Sequence, residues 1–186
     1  MRPLALICSR AFTLIELIAV IAIIGMLVTL IAPQYGRMID RANSVACSAN
    51  LRQIGVAVNL YVNDNEQKFP YINNPRNPVY TDPEEIPEGV TPVTMTEAFG
   101  PYEISGKSLR CPSDVALNNR FASEGTSYEW RPLLDGEEKV NPEIFTRRGT
   151  VRIVKLSRMR LVFDTDSVHN GRPNTLFADG SVRMVQ

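Results

Sequence analysis

The feature of this chain that most constrains its fold is an apolar run near the N-terminus. The only charged residue between Arg10 and Ala32 is Glu16. A helix over the 21 residues from Phe12 to Ala32 would be about 31 Å long, which matches the hydrocarbon core of a bilayer. A carboxylate inside such a helix is costly unless it is paired, so it marks a functional position. The sequence therefore predicts a membrane-spanning helix in which Glu16 has a partner.

Residues 11–25 carry a resemblance to a known family. They read A-F-T-L-I-E-L-I-A-V-I-A-I-I-G, and this resembles the N-terminal signature of type IV prepilins and type II secretion pseudopilins. The resemblance implies that a prepilin peptidase cuts between Ala11 and Phe12 and methylates the new terminus at Phe12. It also implies that Glu16 pairs with the Phe12 amine of an adjacent subunit during assembly. Ala11 stands where the family usually has Gly, and the residue before the cut remains small.

Three other interpretations of this segment fit the residues less well. A secretory signal peptide has an apolar region of 7–15 residues that ends at a small-residue cleavage site, whereas this run is longer and ends at Pro33-Gln34-Tyr35-Gly36. A lipoprotein modified at Cys8 would need a small residue in place of Ile7. An ordinary single-pass anchor has no use for Glu16.

The helix is predicted to continue through residues 33–65 with a different face. Asn63-Asp64-Asn65 supplies a stop signal. Pro33 removes one backbone hydrogen bond, which predicts a kink. The result is one kinked helix of about 50 residues, half in the membrane and half packed on a domain. Its apolar stripe, with spacings of four and three, consists of Cys47, Leu51, Ile54, Val58 and Tyr61.

A second resemblance covers most of the remaining chain. Residues 47–55 read C-S-A-N-L-R-Q-I-G, residues 111–113 read C-P-S, and His169 is followed after nine residues by Asp179-Gly180. Together these blocks are similar to a large group of bacterial pseudopilin-like proteins that share a C-terminal His-x9-Asp-Gly motif. The resemblance supports a pilin-like fold, and it implies no defined role for the motif.

The rest of the chain divides into a proline-rich region and a β-prone region. Ten of the thirteen prolines lie between Pro70 and Pro142, and proline is excluded from central strands and helix interiors. Residues 66–150 are therefore predicted to be irregular, and residues 151–186 to form antiparallel strands. Asp179-Gly180 predicts a type I′ hairpin turn, in which both residues have positive φ. The predicted strands are Val151–Leu156, Leu161–Asp164, Asn174–Ala178 and Ser181–Val185. The fold class is α+β and pilin-like.

Candidate catalytic and metal-binding residues are few. The chain has one histidine, His169, and Cys111 lacks the glycine-rich elbow that activates a nucleophile. We expect no enzyme and no cofactor. One histidine and scattered cysteines lack the ligand spacing of a transition-metal site. Calcium is the better metal candidate, through the oxygens of Asp164, Asp166 and Asp179, although solvated acids at strand ends explain the same residues.

The cysteines are read after removal of a leader. Cys8 leaves with residues 1–11, so Cys47 and Cys111 remain in the mature chain. In an oxidising periplasm an even pair predicts a disulfide. The alternative is a buried free thiol at Cys47 on the apolar stripe.

The charge balance excludes one class of partner and bears on topology. The chain has 20 basic and 20 acidic residues. It therefore lacks the basic surplus that is typical of a nucleic-acid-binding protein. Arg2 and Arg10 before the helix favour a cytoplasmic N-terminus, although Arg37 and Arg41 beyond it reduce the asymmetry.

The sequence predicts a structural pilin or pseudopilin subunit with five segments. Residues 1–11 are the cleaved leader, 12–32 the transmembrane and polymerisation helix, and 33–65 the amphipathic half of the helix, followed by regions 66–150 and 151–186. The expected location is the inner membrane, with one pass and a periplasmic or filament-borne C-terminal domain. Expected partners are other pilin subunits, prepilin peptidase and an inner-membrane assembly platform. Whether the filament is a type II secretion pseudopilus or a type IV pilus stays open, and a non-polymerising, membrane-tethered periplasmic binding module is the alternative.

Overall fold

The structure is a computed structural model that divides into two compact units, residues 1–39 and residues 40–186. The residues that it describes are 13–75, 78–82, 86–104, 106–114, 119–140, 142–146, 149–152, 155–164, 169 and 172–185.

One long helix, α1, covers Leu14–Asp64 and contains 51 residues. The predicted helix of this length is confirmed, and Pro33 lies within it. The stop signal is also in place, because Asn65 donates from its backbone N–H and from its Nδ2 to the carbonyl oxygen of Tyr61, at 2.9 and 2.8 Å. The next two residues, Glu66 and Gln67, have positive φ angles of 54° and 61°, which prevents further helix.

The first unit contains an apolar stretch of α1. The 19 residues Leu14–Ala32 are long and apolar enough to cross a membrane, by length and composition. Their large apolar side chains are exposed, as the 76% exposure of Leu14 illustrates. This part of the helix therefore has an unsatisfied apolar surface in the isolated chain.

The second unit begins with the amphipathic part of α1. The predicted stripe is confirmed: Cys47, Leu51 and Ile54 are fully buried, Val58 is 3% exposed and Tyr61 packs at the edge of the core. The stripe packs against side chains from the rest of the unit. The largest of these fully buried apolar side chains are Ile72, Phe99, Leu109, Trp130, Leu134, Leu161, Val162 and Leu176.

The sheet of the second unit has four antiparallel strands in the order β1-β4-β5-β6. These strands are β1 Tyr128–Trp130, β4 Arg160–Asp164, β5 Asn174–Phe177 and β6 Val182–Met184. The other two strands, β2 Glu143–Thr146 and β3 Gly149–Arg152, pair only with each other among the described residues.

The predicted strand Val151–Leu156 needs correction. Strand β3 is described over Gly149–Arg152, residues 153 and 154 lie outside the described residues, and Leu156 belongs to the 3-10 turn Leu156–Arg158 before β4. The predicted strands at residues 161–164, 174–178 and 181–185 correspond to β4, β5 and β6 within about two residues, which is the usual precision of element ends.

The proline-rich region contains more regular structure than its composition predicts. It includes β1, β2, the short helices α2 Met95–Phe99 and α3 Arg120–Glu124, and two 3-10 turns at Gly100–Tyr102 and Pro132–Leu134. Both 3-10 turns place a proline at the first or second position, where its missing N–H costs no hydrogen bond. Proline in this region therefore occurs at the beginning of 3-10 turns, although it is unfavourable inside helices and central strands.

The β5–β6 hairpin forms at Asp179-Gly180, but with another turn than predicted. Gly180 has a φ of 83°, and Asp179 is not among the residues with positive φ. The Gly180 N–H donates to Phe177 O, and the Phe177 N–H donates to Ser181 O, both at 2.9 Å. This is a three-residue connection with glycine in the left-handed position, and the predicted type I′ turn is wrong.

Candidate functional site

The N-terminal processing site is described only from Thr13 onward. Ala11 and Phe12 lie outside the described residues, so the cleavage and methylation positions stay predictions. Glu16 lies in the first turn of α1. Its carboxylate oxygen Oε2 accepts hydrogen bonds from the Thr13 backbone N–H at 2.9 Å and from the Thr13 hydroxyl at 2.8 Å.

This arrangement is a capping box, and sequence reasoning missed it. The Thr13 hydroxyl also accepts from the Glu16 N–H at 3.3 Å, so each residue satisfies a donor of the other. The signal was readable as Thr-x-x-Glu before an apolar run. Thr94 and Glu97 form the same pair at the start of α2. Glu16 thus has a partner inside its own chain in addition to the predicted one in a neighbouring subunit.

A second candidate site lies in the core of the second unit, where two of the sequence motifs are covalently joined. Cys47 of α1 and Cys111 form a disulfide with a Cα–Cα distance of 5.3 Å and a sequence separation of 64 residues. Both cysteines are fully buried. In the chain-entropy model a loop of this length contributes about 4 kcal/mol to stability.

The third motif meets this disulfide. His169 is 6% exposed, and its Nε2 lies 3.6 Å from Cys111 Sγ. The same nitrogen lies 3.2 Å from Oδ2 of Asp164. The ligand atoms of Cys47, Cys111 and His169 all lie within 4.8 Å of one another. The histidine of the His-x9-Asp-Gly motif therefore packs on the disulfide that joins the other two motifs.

A buried polar network continues from Asp164 to α1. Asn174 donates from Nδ2 to Asp164 Oδ2 at 3.0 Å and to the backbone oxygen of Ser44 at 3.2 Å. Its Oδ1 accepts from the Ser48 hydroxyl at 3.0 Å. Asp164 is fully buried and Asn174 is 2% exposed. Nothing in the sequence marked Ser44, Ser48 or Asn174, because hydrogen bonds across more than 100 residues leave no local pattern.

Two polar atoms of this cluster have no hydrogen-bond partner in the described part of the chain. They are Oδ1 of Asp164 and Nδ1 of His169. Buried polar atoms are normally paired, so an unpaired one calls for an explanation. A buried carboxylate is especially costly without a compensating positive charge.

Sequence spacing did not reveal how close three candidate metal ligands lie in the fold. Two cysteines and the histidine, which are scattered in sequence, meet in space. The fold also brings together Cys111, His169 and Asp164, which combine sulfur, imidazole and carboxylate groups. Here the Cys111 sulfur is held in a disulfide, and a nucleophile must be a thiolate.

Other motif residues attach α1 to the rest of the unit. Asn50 donates from Nδ2 to Arg110 O at 2.9 Å, and Gln53 Oε1 accepts from the Ser108 hydroxyl at 2.8 Å. A Cβ at Gly55 would lie 2.9 Å from Cδ1 of Leu176. The Cys-x-x-Asn-Leu-Arg-Gln-Ile-Gly block is therefore a docking face of the helix.

The acid after Cys111-Pro112-Ser113 has a structural role. Asp114 is 2% exposed and accepts from the backbone N–H groups of Arg120 and Phe121, at 3.0 and 2.7 Å. It also accepts from the Ser127 hydroxyl at 2.7 Å, and Ser127 Oγ in turn accepts from the Cys111 N–H at 3.0 Å. Asp114 therefore holds the start of α3 beside the segment that contains Cys111.

The calcium candidates are not brought together. Asp164 lies beside Asn174 at the beginning of β5, whereas Asp179 lies in the turn after the end of β5. Asp166 lies outside the described residues. Burial opposes ionisation of Asp179, but hydrogen bonds from Ser181 and the nearby charge of Arg183 hold its pKa below the ordinary value. Its Oδ1 accepts from the Ser181 N–H and hydroxyl at 2.9 and 2.6 Å.

Comparison with known proteins identifies the N-terminal segment. No curated protein and no solved structure gives a significant match to the chain. Residues 8–32 match the family model described as the prokaryotic N-terminal methylation motif. This range covers Ala11, Phe12, Glu16 and the apolar part of α1. The chain therefore carries a prepilin-type N-terminal segment.

Proposed function

We propose that this protein is a structural pilin or pseudopilin subunit that polymerises through its N-terminal helix. The methylation motif at residues 8–32 is the observation that carries the proposal. The exposed apolar surface of Leu14–Ala32 supports it, because such a surface is satisfied either by lipid or by the helices of other subunits.

The proposal gives the chain a place and partners. It is inserted in the inner membrane with a cytoplasmic N-terminus, cut by prepilin peptidase and handed to an inner-membrane assembly platform. The second unit is then carried on the periplasmic side or in an extracytoplasmic filament. A disulfide between Cys47 and Cys111 suits that oxidising compartment.

The first experiment determines the mature N-terminus. Mass spectrometry of protein from membranes that contain active prepilin peptidase should show a chain that begins at Phe12 and carries one N-methyl group. The matched control is Ala11→Lys, in which a large charged residue before the cut should block processing. An intact Met1 in the unmodified protein would contradict the proposed processing.

The second experiment separates the two roles of Glu16. In Glu16→Gln the amide oxygen can still accept from Thr13, so the capping box is kept and only the charge is lost. In Glu16→Val both are lost. Thr13→Val is the matched control, since it removes the capping hydroxyl and keeps the charge.

We expect both Glu16 variants to insert in the membrane and to form less cross-linkable polymer than the wild type, with Thr13→Val close to the wild type. The physical reason is that a buried amine at Phe12 of an incoming subunit loses its compensating charge. If Glu16→Gln assembles as well as the wild type, charge pairing is refuted. If neither the wild type nor Thr13→Val polymerises, the tethered binding module becomes the better account.

A further inference from the structure

The Cys47–Cys111 disulfide lies beside two buried side chains, His169 and Asp164, that the disulfide itself does not require. We infer that, when the disulfide is reduced, these four side chains form a tetrahedral site for one zinc ion. Zinc accepts thiolate, imidazole and carboxylate ligands in a closed tetrahedral site, and all four groups are present. Each of the four residues is at most 6% exposed.

Two distances between ligand atoms agree with those expected in a tetrahedral zinc site. Bonds of about 2.3 Å to sulfur and about 2.0 Å to nitrogen or oxygen place tetrahedral ligands about 3.6 Å apart for a sulfur–nitrogen pair and about 3.3 Å apart for a nitrogen–oxygen pair. The observed distances are 3.6 Å from Cys111 Sγ to His169 Nε2 and 3.2 Å from His169 Nε2 to Asp164 Oδ2. In the zinc-bound state the two sulfur atoms, which are bonded to each other in the disulfide, must lie about 3.8 Å apart.

The unpaired carboxylate oxygen is an independent indication of a cation. Asp164 is fully buried, and its Oδ1 has no partner within the described part of the chain. Oδ2 accepts from the neutral amide of Asn174 and lies 3.2 Å from Nε2 of His169, which offers a positive charge only when it is protonated. A divalent ion would offset the burial of this carboxylate far better than a neutral amide does.

Zinc binding requires prior reduction of the disulfide, and a dithiol can supply the two electrons and two protons. Two electrons from the reductant break the Cys47–Cys111 bond, and the reductant forms its own disulfide. Its two protons pass to the two protein sulfurs. Zinc then replaces both thiol protons, which leave to solvent, and bonds to the two thiolates. Disulfide and zinc are thus alternative links between α1 and the segment that contains Cys111.

The test uses the full chain in detergent micelles with Cys8→Ser, so that Cys47 and Cys111 are the only thiols in the sequence. The protein is reduced with a phosphine, freed of reductant without oxygen, and titrated with Co²⁺. Tetrahedral coordination by thiolates should give intense charge-transfer and d–d absorption bands, and one equivalent of Zn²⁺ should abolish them. The oxidised protein should show no such bands.

Variants then assign the ligands. His169→Ala and Asp164→Asn should each weaken Co²⁺ binding at least tenfold, the size of effect that changes around metal sites commonly produce. Asp179→Asn, which changes an exposed acid outside the cluster, should leave the affinity unchanged. Absence of thiolate bands in the reduced protein would overturn the proposal, as would a His169→Ala variant with wild-type affinity and spectrum.

A reduced protein that unfolds is also informative. In that case Zn²⁺ should restore the native fluorescence of Trp130, because metal binding then supplies folding free energy. Failure of Zn²⁺ to restore it would refute the site.

Discussion

Asp135 provides a direct test of how burial and hydrogen bonding compete in this domain. Its carboxylate accepts from Trp130 Nε1 at 2.6 Å, from the Tyr80 hydroxyl at 2.7 Å and from the Ile72 N–H at 3.1 Å. Burial nevertheless dominates and raises the pKa of Asp135 from 3.8 to about 6, although the three hydrogen bonds act in the opposite direction. We expect its ionisation near pH 6 in the folded protein.

The sign and size of the effect on stability follow from this pKa. Between pH 4 and pH 6 the folded state holds a proton that the unfolded chain has released, so stability falls as the pH rises through this range. A difference of about two pKa units corresponds to about 3 kcal/mol. Below about pH 3 the group is neutral in both states, and above about pH 7 it is ionised in both and the full loss is present.

The assay uses the Trp130 fluorescence of the full chain in detergent micelles, since the sequence contains a single tryptophan. Trp130 donates directly to Asp135, so its emission should titrate with a midpoint near pH 6 in the wild type. In Asp135→Asn, which keeps the side-chain volume, this titration should be absent.

Urea denaturation of both proteins at pH 4 and pH 7 measures the energetic consequence. The loss of stability from pH 4 to pH 7 should be about 2.4 kcal/mol larger in the wild type than in Asp135→Asn, because the contributions of other groups cancel in the comparison. A fluorescence midpoint near pH 4, or an equal pH dependence of stability in both proteins, would refute the reasoning.

Two further substitutions probe the contacts of α1. Gly55→Val should destabilise the second unit by about 1–3 kcal/mol in urea denaturation, because a Cβ at this position would lie 2.9 Å from Leu176 Cδ1; an unchanged midpoint would show that Leu176 moves aside freely. Asn174→Ala should cost roughly 2–4 kcal/mol, because it leaves Asp164 and Ser48 without the amide that joins them. The exposed Asn63→Ala is its control and should change stability by less than about 0.5 kcal/mol; equal effects of the two asparagine variants would contradict a structural role for the network.

Local signals in the sequence were sufficient for the elements that depend on local physics. The apolar run before Ala32, the stripe from Cys47 to Tyr61 and the stop at Asn65 define α1 without any tertiary contact, because helix periodicity and end signals are written in neighbouring residues. The position of the β5–β6 hairpin at Asp179-Gly180 was likewise readable. Its turn type was not, since one additional residue in the connection changes which positions need positive φ.

Only the tertiary structure shows which residues of the motifs contact one another. Strand β1 was hidden in the proline-rich region, because a three-residue strand is recognised by its pairing with β4 and has no pattern of its own. The meeting of Cys47, Cys111 and His169 depends on how α1 packs against the rest of the unit, and the pairing of Asp164 with Asn174 depends on the register of β4 with β5. Side chains that are distant in sequence, such as Cys47 and Cys111 with a separation of 64 residues, interact only when the fold brings them within bonding distance. Sequence spacing does not predict that distance.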